Sequence, residues 1–192
     1  MTSKITKKGV FFIISGPSGA GKTTLCRKIL AHFRNLQYSV SYTTRSIRRG
    51  EQNGEDYFFI TETDFKKRIK NNQWVEWAKV HGNYYGTCAL DIDKNLATGQ
   101  NILLDIDVQG TAQILRRYPE SITIFVMPPS MDILQSRLQK RSADDNKTIM
   151  KRLKEARNEI RQKDKYKYVL INDKLNETEA RLIAVIEKYL KN

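Results

Sequence analysis

Gly16, Gly21, Lys22 and Thr23 stand at the spacing G-x-x-x-x-G-K-[ST] inside IISGPSGAGKTTLCRKIL, residues 13–30. That spacing makes a phosphate-binding loop. Glycines let the backbone turn its N–H groups inward around phosphate oxygens. A lysine supplies charge for the β- and γ-phosphates, and a threonine hydroxyl is a ligand for Mg2+. The run Gly16, Pro17, Ser18, Gly19, Ala20, Gly21, Lys22, Thr23 and Thr24 is therefore expected to wrap the phosphates of a nucleotide. An ordinary Gly-rich turn bearing a surface lysine is the bland alternative.

Two more groups carry chemistry. Ser41, Arg45, Arg48 and Tyr57 fall together in SVSYTTRSIRRGEQNGEDYFF, residues 39–59. Planar guanidinium forks and hydroxyl donors suit a phosphomonoester, although a solvated basic loop has the same composition. Glu76 sits between Trp74 and Trp77. Such an acid either faces water from a strand or accepts two parallel N–H bonds from a guanine edge. Asp105 and Asp107 close the apolar run NILLDID. Burying charge is costly, so stability explains them poorly. An acid at this place in a P-loop enzyme manages Mg2+ and its waters, and Asp105 is expected to act on the ion through water, beside Thr23.

These residues need elements to hold them. GVFFIIS (residues 9–15) reads as a buried parallel strand, and Leu25, Ile29, Leu30 and Phe33 have helical spacing behind the loop. Strand, loop and helix thus come in the required order. Further strands are predicted at 101–107, 121–127, 166–172 and near 38–44. Helices are predicted at 21–33, 62–70, 108–117, 130–140, 147–162 and 177–190, with Ser130 and Asn176 as N-caps. This alternation implies an α/β fold with a parallel sheet flanked by helices, with ligands beyond the carboxyl ends of the strands. Two stretches break it. Residues 39–96, rich in Tyr, Trp, Thr and Arg, read as a small α+β insert. Residues 132–161 read as a basic helical lid. The core then comprises 1–38, 97–131 and 162–192. Two inserts flanking a phosphate loop suggest one flap for each of two substrates.

The chain has 192 residues, 34 Lys+Arg against 21 Asp+Glu, and a net charge of +13. One compact fold is expected. The charge suits phosphate-rich partners. It is spread along the chain, and no zinc-ligand set or aromatic RNA-binding motif accompanies it, so nucleic acid is not expected. Cys26 and Cys88 have no C-x-x-C neighbour and read as structural thiols, and His32 and His81 stand alone and read as surface or packing residues. MTSKITKKGV is too polar for a signal peptide, and no run reaches transmembrane length. A cytoplasmic protein without membrane contact is expected, and a homo-oligomer stays open.

Together GPSGAGKTT, SVSYTTR, GEDYFF, VEW, GNYYGT, LDIDVQG, PPS and IND span nearly the whole chain, and the set resembles the guanylate kinases of the nucleoside monophosphate kinase group. The resemblance implies a P-loop core, a GMP-binding insert and a lid, with γ-phosphoryl transfer from ATP to GMP giving ADP and GDP, assisted by Mg2+. It implies Ser41, Arg45, Arg48, Tyr57 and Tyr85 on the GMP phosphate, and Glu76, Thr87 and Asp107 on guanine. Arg141 and Arg152 match lid arginines that join Lys22 and Arg48 at the transferring group, and Arg137 and Asn172 match the adenine region. Ile47 stands where the family commonly has proline, Asn146 and Lys147 where acids are common in the lid, and Lys174 where an acid often follows IND. Another small-molecule kinase is disfavoured by Glu76 with Asp107. A protein-binding module of this fold typically has a degraded loop, unlike this one.

Overall fold

The structure is a computed structural model that describes residues 8–48, 50–80, 82–141 and 145–190. Strand β1 (Phe11–Ser15) is buried at every position. Its alternation feeds both faces of a sheet: Phe12 and Ile14 enter one apolar cluster, Phe11 and Ile13 another. Helix α1 (Lys22–His32) follows the loop. Strand β2 (Leu36–Tyr38) then joins the same sheet.

The chain next builds a second sheet. Strands β3 (Tyr42–Thr43) and β4 (Phe58–Phe59) precede helix α2 (Glu62–Lys70), which is capped by the Thr61 hydroxyl. Strands β5 (Trp74–Val80) and β6 (Asn83–Cys88) form an antiparallel pair, and the sheet order is β4-β3-β6-β5. Phe65, Trp74 and Cys88 make its own small core. The single strand expected near 38–44 is thus two strands in two sheets. Helix α3 (Ala89–Ala97), which the sequence reading missed, sends Ile92 and Leu96 onto the face of the main sheet that carries Phe11 and Ile13.

The chain returns through strand β7 (Asn101–Asp105), helix α4 (Val108–Arg117) and strand β8 (Ile122–Met127). Helices α5 (Met131–Arg141) and α6 (Asn146–Ile160) pack on each other through Leu134, Leu138, Ile149, Leu153 and Ala156. Strand β9 (Tyr168–Ile171) and helix α7 (Leu175–Leu190) complete the chain. The main sheet runs β2-β7-β1-β8-β9, and all its pairings are parallel. β1 therefore lies between β7 and β8, and the loop leaves its carboxyl end where neighbouring strands carry Asp105 and Met127. Ser130 caps α5 as expected, with its Oγ accepting the Ile133 N–H. Asn176 is not a cap, because α7 already begins at Leu175. Among the described residues no helix is long and apolar enough to cross a membrane.

Candidate active site at the carboxyl edge of the main sheet

The loop expected to hold phosphates lies at the start of α1. Gly16 has φ 137° and Gly21 φ 94°, conformations that side chains resist. A Cβ at Gly16 would also lie 2.0 Å from the Val126 carbonyl oxygen. The loop borders a cavity of about 460 Å3, reached also by Asp105, Asp107, Arg152 and Glu159. Lys22 Nζ donates to the carbonyls of Gly16 (2.6 Å) and Pro17 (3.2 Å). Burial pushes its pKa down, while the charges of Asp105 and then Glu159 oppose that shift. Thr23 is exposed at the mouth of the loop.

The two sequence-predicted acids have fold partners. Asp105 accepts the Tyr38 hydroxyl. Asp107 caps α4 by accepting the Gly110 N–H at 2.7 Å, which steers the helix and holds the carboxylate toward the cavity. Thr23, Tyr38 and Asp105 border a second cavity of about 390 Å3, whose opposite wall includes Asp56 and Tyr57 from the chain between β3 and β4. Thr23, at the end of the loop, and Tyr57, just before β4, thus border one space.

On the far side the guanidinium of Arg45 lies 5.5 Å from the ring centre of Tyr57 and 5.7 Å from that of Phe59. The Tyr57 and Tyr85 rings are 5.8 Å apart. Both Arg45 terminal nitrogens bond Glu51, at 2.7 and 3.0 Å, and Glu51 also accepts the Arg48 backbone N–H at 2.8 Å. The Arg45 fork holds the Glu51 carboxyl below its usual range. Glu51 was missed by the sequence reading. Ser41 is half-buried and accepts the Phe58 N–H at its carbonyl, whereas Arg48 is exposed, as is Ile47 beside it.

Glu76 is only 5% exposed. The β5–β6 ladder slips between Trp74 and Glu76, a bulge that sets Glu76 opposite Thr87. Thr87 Oγ1 donates to Glu76 Oε1 at 2.7 Å. Burial pushes the Glu76 carboxyl up to about 7; the Thr87 hydroxyl works against that, and the charge of Asp107 adds to it. Glu76 and Thr87 are thus in direct contact, and Asp107 is near enough for its charge to act on Glu76.

This burial has a measurable cost. Below about pH 4.5 the carboxyl is neutral folded or unfolded. Between 4.5 and 7 the unfolded chain ionises first, so folding loses stability as pH rises, and above 7 the full cost is present. Glu76→Gln removes the charge and keeps an acceptor for Thr87. The variant is expected to gain on the order of 1–3 kcal/mol relative to the unchanged protein between pH 5 and pH 8. Denaturant melts at the two pH values check this; equal pH slopes in both proteins would contradict it.

In the α5–α6 pair, Arg152 reaches the loop cavity. The side chain of Arg141 lies outside the described residues, as do His81 and residues 142–144. Glu159 was missed by the sequence reading. It lies seven residues after Arg152, on the same face of α6, and that periodicity was the available signal. Burial pushes its carboxyl up to about 7, and its Oε2 is buried without a hydrogen-bond partner among the described residues. Arg137 Nη2 donates to the Asn172 carbonyl at 2.9 Å. Asn172 Nδ2 is engaged by the loop itself, donating to the Ala20 carbonyl at 2.8 Å. No cluster of three or more metal-ligating side chains occurs among the described residues.

The family model described as guanylate kinase matches residues 8–189. A guanylate kinase of Geobacter sulfurreducens is 44% identical over 180 residues, covering 94% of this chain and 89% of that protein. A guanylate kinase of Nitrosomonas europaea is 47% identical over 175 residues, covering 91% and 87%. Among solved structures, guanylate kinase from Anaplasma phagocytophilum superposes with a TM-score of 0.77 at 33% identity, covering 96% of this chain and 87% of that one.

Proposed function

We propose a division of labour for the cavities of this chain, which belongs to the guanylate kinase family. The reaction is transfer of the γ-phosphoryl group of ATP to GMP, giving ADP and GDP, within purine nucleotide metabolism. The loop from Gly16 to Thr24 takes the ATP phosphates, with Arg137 and Asn172 bordering the adenine. Arg45, Arg48, Ser41, Tyr57 and Tyr85 take the GMP phosphate. Glu76, Thr87 and Asp107 take the guanine edge.

One observation carries this reading: Thr23 and Tyr57 border the same space. A donor phosphate on the loop and an acceptor phosphate by Tyr57 would then meet within it. The bond from the γ-phosphorus to the ADP oxygen breaks as a bond to a GMP phosphate oxygen forms. The acceptor oxygen is already anionic near neutral pH, so no general base is required. What remains is alignment, water exclusion and positive charge where negative charge builds up. Lys22, Arg48, Arg152 and Arg141 supply that charge.

Thr23 and Asp105 offer hard oxygen atoms at one cavity, and the described residues form no all-protein cage, which suits Mg2+ held mainly by phosphates and water. The ion would neutralise charge between the phosphates. Thr23 would ligate it directly, and Asp105 would hold one of its waters.

Release of ADP from ATP, followed with GMP, AMP, CMP and UMP in turn, tests the reading. Sustained turnover is expected with GMP alone. Comparable turnover with CMP or UMP would overturn the base assignment.

A further inference from the structure

Asn172 follows β9 and is 5% exposed. Three separate parts of the fold meet on it. Its backbone N–H donates to Met127 O at 2.8 Å, which extends the β8–β9 ladder by one residue. Its carbonyl accepts Arg137 Nη2 at 2.9 Å, from helix α5. Its side-chain amide donates to Ala20 O at 2.8 Å, inside the phosphate loop.

The last contact has a directional consequence. A trans peptide is planar, and its C=O and N–H point opposite ways. Holding the Ala20 carbonyl against Asn172 therefore turns the Gly21 N–H away from Asn172, toward the cavity that Gly21 borders. Gly21 accommodates this at φ 94°. A Cβ there would lie 2.3 Å from Asn172 Nδ2, so the amide and the bare glycine are matched.

We propose that Asn172 is a positioning residue for the phosphate loop, which aims the Gly21 N–H at the bound phosphates by anchoring the Ala20 carbonyl to the end of β9. The inference rests on the reading of Gly16–Thr24 as the ATP phosphate site. It differs from a role in reading adenine, because it acts on any polyphosphate, with or without a base.

That difference sets the test. Inorganic tripolyphosphate carries the phosphates and no adenine. Its affinity and that of ATP are measured by calorimetry on the unchanged protein, Asn172→Ala and Asn172→Asp. Loss of one buried hydrogen bond is expected to weaken tripolyphosphate about tenfold in Asn172→Ala. Asn172→Asp keeps the shape but turns an oxygen toward Ala20 O, so its loss is expected to be at least as large. Weakened ATP binding with unchanged tripolyphosphate binding would overturn the inference and leave only a base contact. Unchanged affinity for both would overturn it as well. Failure of the unchanged protein to bind tripolyphosphate would instead overturn the loop reading, and this inference with it. Should both Asn172 variants melt below the assay temperature, Arg137→Ala removes the brace on the Asn172 carbonyl. A two- to threefold weaker tripolyphosphate affinity is then expected, and no change would overturn the proposal.

Discussion

Replacing Lys22 with alanine is expected to slow phosphoryl transfer by roughly 10³-fold or more, in a protein that remains folded. The ammonium lies within the loop, bonded to the Gly16 and Pro17 carbonyls, beside the cavity that Arg152 also reaches. Exchanging those carbonyls for phosphate oxygens would keep the ammonium at the same cavity. A charge aimed where negative charge develops is worth far more in such a site than in water. The core makes no comparable demand on it. Lys22 belongs to none of the apolar clusters, and burying its ammonium costs stability, as the direction of its pKa shift records. Turnover by ADP release and a thermal melt on the same sample check both halves. Near-normal turnover in the folded variant would remove the loop from the chemistry.

The second large effect concerns base choice. Guanine presents N1–H and an exocyclic amine on one edge, two donors for one ionised carboxylate. Adenine presents a lone pair at N1, which Glu76 would repel. A buried site built for a hydrogen-bonding partner rejects an analogue lacking it by about 10⁴-fold or more. The unchanged protein is expected to prefer GMP over AMP by that order in kcat/KM, and Glu76→Gln is expected to lose most of the preference while binding ATP as before. The amide keeps the shape but lacks the charge and one acceptor. The same substitution is expected to stabilise the free protein above pH 7, so one residue trades stability for selectivity. An unaltered GMP-to-AMP ratio in the variant would exclude Glu76 from the base site.

What the sequence made legible was what is local. The loop, β1 and α1 follow one another within 22 residues, Phe11 to His32, and their glycine spacing and periodicity need no tertiary information. Features settled by distant partners were not legible. Tyr38–Thr44 alternates like one strand, and only pairing decides that Leu36–Tyr38 joins β7 while Tyr42–Thr43 joins β6. Helix α3 was hidden because Asp91, Asp93, Lys94 and Asn95 dilute the pattern of Ile92 and Leu96. Glu76 and Thr87 were placed together by resemblance, and the β5–β6 register supplies the physical reason. Glu51 looked like one more solvated charge until its bond to Arg45 was in view. Asn172 was assigned to the adenine region by resemblance, and nothing in IND reveals its bond to Ala20, 152 positions earlier.

Among the described residues the apolar side chains fall into four clusters, not one. Two sandwich the main sheet, one joins α5 to α6, and one lies beneath the second sheet. A chain divided this way has seams along which it can open without melting as a whole. The smallest buried core, Phe65 with Trp74 and Cys88, has the least to lose by opening. Its amides are the natural first site of solvent exchange, and β1, buried on both sides, the last. Glu76 sits in β5, and α3 leads from that small core onto the cluster of Phe11 and Ile13. A ligand gripping the second sheet and the phosphate loop together would close the weakest seam, so occupancy and local cooperativity would rise as one quantity.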